Sequence, residues 1–458
     1  MAGTLRLPRQ RLMAGLSLQK IEMLRTLVSA SPDELVRTLE HAIMADGADG
    51  PLAAIGAMVE AEAAERALRF AVLMPVAPLF RSGSANGAPA WPRAALKAIW
   101  AALLAESPEL MREAADAFHY LEPEDACPEV FDALCRQAAA GLEAGDAGHF
   151  AAAAAICDRA RPDSVAELVL CLQMAPIVRP IVLSLPDWLQ RMTDERRATA
   201  RLAYRDATAL VDGAGPLLFE MLAAHVKRPE MILRIISAVM DHPGERYLSA
   251  SELARFGERA LDDIETALDN LHEMKPATGI EAGREAGAAV QRALDAVGEL
   301  ESSVNLSRDG AWGQRLTKLK QAIAGTVEAR LREIDEAVAH ALPTQKLRYS
   351  ARLTRTAPRF SEPPDEPAVN WALGLLSFAD AVRPCAPDGG FGAVRAKVLE
   401  TLGKRLDQYV EDVLEQIRLG DVEDDERARE FLGVAANLLA LARDDKSAAI
   451  VRRRAAAA

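Results

Sequence analysis

Residues 312–342 read WGQRLTKLKQAIAGTVEARLREIDEAVAHAL. The large apolar side chains in this stretch recur at steps of three and four: Trp312, Leu316, Leu319, Ile323, Val327, Leu331, Ile334, Val338 and Leu342. Because an α-helix turns once in about 3.6 residues, this spacing places them all on one face. The stretch therefore predicts a long amphipathic helix whose apolar face packs against other helices.

Two similar stripes precede it. The first comprises Leu253, Phe256, Leu261, Ile264, Leu268, Leu271 and Met274. After a break at 276–279, the second comprises Val290, Leu294, Val297, Leu300 and Val304. Three successive amphipathic helices predict that residues 249–343 form a long antiparallel helical bundle or coiled coil.

Helix starts can also be recognised in residues 1–245, where a proline followed by an acidic residue recurs. These prolines are Pro32, Pro108, Pro128, Pro162 and Pro229. Proline suits the first turn of a helix, and acids favour the positive end of the helix dipole. The spacing between these starts is irregular, so it predicts a loose array of helical hairpins and no repeat family.

Composition agrees with an all-α fold. Half of the residues are hydrophobic and Ala dominates them, whereas aromatic residues supply only 5%. Ala is the best helix former, and aromatic residues favour strands.

The net charge of −13 argues against a protein that coats nucleic acid or an anionic membrane over its whole surface.

The five cysteines include no C-x-x-C pair, which is typical of a reducing compartment. We therefore expect a cytoplasmic protein, and the absence of an apolar leader predicts that it has no secretory signal. The excess of Arg over Lys, together with abundant Ala, indicates a bacterial source.

The apolar stretch 168–185 contains Arg179, Pro176 and Pro180, which favours two buried helices meeting at a corner over a membrane span.

The composition changes most abruptly after residue 343. Residues 346–359 contain five basic residues and no acid, and a Pro-rich acidic segment follows, so 344–367 is interpreted as a linker. Residues 368–444 are predicted to form a small C-terminal helical domain, and residues 445–458 a disordered tail.

The basic segment is the candidate site for a partner. Its residues are Lys346, Arg348, Tyr349, Arg352, Arg355 and Arg359. Basic side chains beside an aromatic ring suit phosphates and bases, and an extended segment also suits strand addition to a partner. The alternative is that the segment lies across acidic helices of the same chain as a charge-matched linker.

No motif predicts a cofactor, a metal or a catalytic residue. Phosphate-binding, dinucleotide-binding, zinc-protease and nucleophile-elbow patterns do not occur in the chain. The group His119, Cys127, Cys135, His149 and Cys157 has metal-binding residue types, but its spacing matches no zinc site. We therefore favour a non-enzymatic protein over an enzyme.

Three hypotheses follow. The first is a non-enzymatic helical scaffold, adaptor or regulatory protein that acts through protein–protein contacts. The second is an enzyme of unrecognised type with a site among the N-terminal helices. The third is a peripheral membrane or nucleic-acid-associated protein that uses the basic arms 6–11, 346–359 and 452–454. The sequence predicts neither the oligomeric state nor whether the bundle is intramolecular.

Overall fold

The computed structural model confirms the all-α class. It describes residues 18–46, 51–81, 88–120, 128–145, 148–211, 213–240, 244–275, 279–348, 354–422 and 424–458. Within these ranges the chain forms twenty α-helices and one two-stranded sheet. It divides into two compact units, Met1–Ile232 and Leu233–Ala458.

The first unit is a sequence of mostly short helices. They are α1 Leu18–Ala30, α2 Asp33–Asp46, α3 Pro51–Leu73, α4 Arg93–Glu106, α5 Pro108–His119, α6 Glu129–Glu143, α7 Ala151–Ala160, α8 Ser164–Gln173, α9 Ala175–Gln190, α10 Asp194–Leu210 and α11 Ala214–Ala224. Four of the five proline signals lie within two residues of an α-helix start, which confirms the prediction at α2, α5, α6 and α8. The fifth, Pro229, begins a 3-10 turn that leads into the next helix.

The apolar stretch 168–185 forms the corner between α8 and α9. The two helices bend by 69° at Met174, and Pro176 lies in the first turn of α9. In the described part of the chain no single helix is long and apolar enough to span a membrane, although this bent pair passes that test by length and composition.

Arg179 on α9 is 1% exposed and binds groups from two other helices. Its Nε donates to Oδ1 of Asp132 on α6 at 2.8 Å. Its two Nη groups donate to the carbonyl oxygens of Ala71 and Val72 at 2.7 Å each. The last carbonyls of a helix lack intrahelical partners, so this guanidinium satisfies the buried end of α3. One side chain thus ties together α3, α6 and α9.

The second unit contains the longest helices. Its elements are α12 Ile232–Val239, α13 Glu245–Leu248, α14 Ala254–Glu273, α15 Ile280–Ser303, α16 Ala311–Ala341, β1 Thr344–Arg348, β2 Thr354–Pro358, α17 Glu366–Ala381, α18 Gly392–Leu419, α19 Asp425–Ala442 and α20 Asp445–Ala457. The helices α14, α15 and α16 coincide with the three apolar stripes, whose members are mostly buried. The indole of Trp312 lies on Gly257, which joins α16 to α14.

The partition after α16 differs from the sequence interpretation, because α17 packs against both α15 and α16. The α15–α17 contact is a close approach of two backbones at Gly283 and Gly287. A Cβ added at Gly283 would lie 2.8 Å from the Phe378 nitrogen and closer still to the Gly374 oxygen. The Ser377 hydroxyl also donates to the Ile280 carbonyl at 2.9 Å. Residues 368–444 therefore share a core with the bundle.

Two segments have more structure than the sequence suggested. The interpreted linker 344–367 contains the antiparallel pair β1–β2 and the first residues of α17. The expected disordered tail 445–458 is instead almost entirely α20, which packs against α19. The Asp444 side chain caps α20 by accepting from the Ser447 nitrogen at 2.7 Å, and Ala448 and Val451 are buried. A side-chain cap and a buried face explain this helix.

Candidate partner-binding hairpin

Three of the candidate basic residues lie in the β1–β2 hairpin, and a fourth directly follows it. Its register pairs Lys346 with Thr356, Leu347 with Arg355 and Arg348 with Thr354. Lys346, Arg348 and Arg355 thus lie in the strands, and Arg359 directly follows β2. Tyr349 and Arg352 lie outside the described residues, so the structure places three of the six predicted site residues in the strands and a fourth next to them.

The base of the hairpin is fixed to the helices of its own unit. β2 packs against α18, and Ala357 is 4% exposed. The ring of Phe360 lies 5.7 Å from that of Phe431 on α19. Arg427 Nη1 donates to the carbonyl oxygens of Phe360 and Ser361 at 3.2 Å each. These contacts hold the carboxyl end of the hairpin on a rigid helical surface.

The exposed part of the hairpin is cationic. Thr344, Gln345, Lys346, Thr356 and Arg359 are exposed, and no acidic residue occurs between 344 and 361. In the described part of the chain neither Lys346 nor Arg359 forms an ion pair, whereas Arg315 of the same unit bridges Glu258, Asp262 and Glu265. Direct bridges of this kind would support the charge-matched interpretation, and among the described side chains Lys346 and Arg359 do not form them.

Buried carboxylates are the polar features that sequence reasoning missed. Glu245 is 4% exposed, and its carboxylate accepts from the backbone nitrogens of Ser307 at 2.9 Å and Trp312 at 2.7 Å, where α16 begins. Glu299 is 2% exposed and accepts from Arg234 Nη2 at 2.7 Å. Both carboxylates join helices that are distant in sequence, so no local pattern announces them, and their role is structural.

The described cysteines and histidines do not assemble into a metal centre. Among the described residues no group of three or more His, Cys, Asp or Glu side chains could hold a metal ion. Cys127 lies outside the described residues. Burial raises the pKa of the Cys135 thiol to about 12 and that of Cys157 to about 11. Both thiols therefore stay protonated near neutral pH, and neither is an activated nucleophile.

If the protein were an enzyme, its active site would lie in a cleft among the N-terminal helices. It has a volume of ≈ 560 Å³ and lies among α2, α3, α4 and α5. Its walls include Val36, Phe70 and Phe118, together with His41. The described lining contains no Ser, Thr, Cys or Lys, so it offers no hydroxyl, thiol or amine nucleophile.

Comparisons with known proteins give no further guide: no family model, no curated protein and no solved structure matches this chain.

Proposed function

We propose that this protein is a non-enzymatic helical scaffold or regulator that acts through protein–protein contacts. The strands β1 and β2 together with Arg359 form its contact surface for an acidic segment of a partner protein. The observation that carries this proposal is an acid-free basic segment held as a hairpin on a chain whose net charge is −13. A local positive patch on an acidic protein steers an anionic partner to one place. Bacterial cytoplasm is the location that fits the cysteine usage and composition.

An acidic protein segment fits this surface better than a nucleic acid does. Base stacking uses an aromatic ring beside the cations, and Phe360, the described aromatic residue next to β2, is already packed against Phe431. The high negative charge of the chain also opposes a polyanion that extends beyond the hairpin. A short acidic peptide segment meets the patch and avoids most of this repulsion.

The proposal is tested with three defined probes on the full chain. They are a fluorescent peptide that alternates Glu with Val or Thr, a single-stranded oligonucleotide, and vesicles of phosphatidylserine and phosphatidylcholine. The hairpin variant carries Lys346→Ser, Arg348→Ser and Arg355→Ser. The control variant carries Lys318→Ser, Arg292→Ser and Arg308→Ser, which are exposed cations of the same unit, so both variants lose one Lys and two Arg.

We expect the peptide to bind the native chain and the control variant, and the hairpin variant to bind it about tenfold more weakly, since each exposed ion pair contributes up to about 1 kcal/mol. Equal binding by both variants overturns the assignment of the hairpin. The alternative outcome is that the oligonucleotide or the vesicles bind more tightly than the peptide and lose affinity in the hairpin variant. In that case the partner is a nucleic acid or an anionic membrane, and the acidic protein segment is ruled out.

A further inference from the structure

The hydrogen-bond pattern of the hairpin shows which backbone groups face outward. The Arg359 nitrogen donates to the Pro343 oxygen at 3.0 Å, so 343 and 359 form a hydrogen-bonded pair. In an antiparallel ladder such pairs alternate with pairs whose N–H and C=O groups point away from each other. The register therefore turns the backbone groups of Thr344, Lys346 and Arg348 toward the outer edge of β1.

The two outer edges of the hairpin differ in availability. The edge of β2 includes Pro358, which has no N–H, and β2 is the strand that packs against α18. On β1, both Thr344 and Lys346 are exposed, and no hydrogen bond to their outward backbone groups occurs among the described residues. An unpaired edge of this kind is a template for another strand. The edge of β1 is therefore the open one.

We propose that the acidic partner segment binds as a third strand on the outer edge of β1. This inference rests on the proposed function, in which the hairpin contacts an acidic protein segment. Backbone hydrogen bonds to Thr344, Lys346 and Arg348 align the added strand, and carboxylates on alternate residues face the cationic surface. The ligand is an extended peptide with acids at every second position.

Backbone methylation of the peptide tests strand addition without changing any side chain. Two peptides of about seven residues have the same alternating sequence and carry N-methyl groups on either the odd or the even residues. Only one set of nitrogens points toward β1, so one peptide should bind about tenfold more weakly than the other, because several hydrogen bonds are blocked. Equal affinity of the two methylated peptides overturns strand addition, even when both still bind through charge. Failure of the unmethylated peptide to bind overturns the proposed function instead.

A variant of the chain supplies an independent test. Lys346→Pro removes the charge and the outward N–H, whereas Lys346→Ser removes the charge alone. Proline is tolerated on an edge strand where its nitrogen faces solvent, so we expect unchanged circular dichroism in both variants. The proline variant should bind the unmethylated peptide about three- to tenfold more weakly than the serine variant. Equal binding by two folded variants contradicts the inference. If the proline variant does not fold, the comparison of the two methylated peptides is the test of strand addition.

Discussion

A single methyl group on α15 should disrupt the contact between α15 and α17. In Gly283→Ala, the new Cβ would lie 2.8 Å from the Phe378 nitrogen and closer to the Gly374 oxygen, and both atoms are backbone. No rotamer change relieves a clash with backbone, so the helices must separate. Overpacking of this kind costs about 1–3 kcal/mol. The higher helix propensity of Ala relative to Gly stabilises the folded state by up to about 1 kcal/mol and offsets part of this cost. With the full gain in helix propensity, we expect the free energy of unfolding to fall by up to about 2 kcal/mol.

The same helix provides the control. Gly298 is also inside α15, but an added Cβ meets nothing within 4 Å. Gly298→Ala should therefore raise the free energy of unfolding by about 0.5–1 kcal/mol. Urea denaturation followed by circular dichroism gives both values, and hydrogen exchange of α15 and α17 localises the change. If Gly283→Ala stabilises the protein as much as Gly298→Ala does, the close approach of α15 and α17 is refuted.

Three further predictions concern stability and thiol chemistry. Arg179→Met should lower the free energy of unfolding by about 3–5 kcal/mol in a urea titration, because Asp132 and two carbonyls lose a buried partner. Arg332→Met, at a side chain that is 63% exposed, should change it by less than about 1 kcal/mol. A fragment 233–458 should show cooperative thermal unfolding by circular dichroism, whereas a fragment 368–458 should not, because it leaves the α17 face without α15 and α16; cooperative unfolding of the shorter piece would restore an independent C-terminal domain. At pH 8 a thiol with a pKa of about 12 is almost wholly protonated, and its thiolate fraction rises only as the pH approaches that value. Iodoacetamide should therefore label Cys135 of the native protein at least about a hundredfold more slowly than in urea, as measured by peptide mapping, and equal rates would show that the thiol is accessible.

The helices that sequence predicts best are those with a local signal. The steps of three and four from Trp312 to Leu342 correspond to α16, and the prolines at 32 and 108 lie at the starts of α2 and α5. Both signals arise from residues within a few turns of each other. The contact of Gly283 with α17 was not predictable in this way, because its partner Gly374 is remote in sequence and a glycine carries no apolar signal.

The hairpin shows how one composition supports two interpretations. The absence of acids between 344 and 361 and the neighbouring prolines suggested a linker, and they drew attention to the same residues as a binding site. The strands had a weak local signal: Thr344 begins β1, Thr354 and Thr356 occupy alternate positions of β2, and Thr favours strands. The contact between Phe360 and Phe431 could not be predicted from the local sequence, because Phe431 lies on the distant helix α19.

The most direct test of the hairpin as a partner-binding surface is the salt dependence of peptide binding. Fluorescence anisotropy of the alternating acidic peptide gives the affinity at about 50 mM and about 200 mM salt for the native chain, the hairpin variant and the control variant. We predict that the affinity of the native chain and of the control falls steeply with salt, while the hairpin variant binds weakly at both concentrations and changes little. A hairpin variant that binds with the native affinity and the native salt dependence would contradict the account.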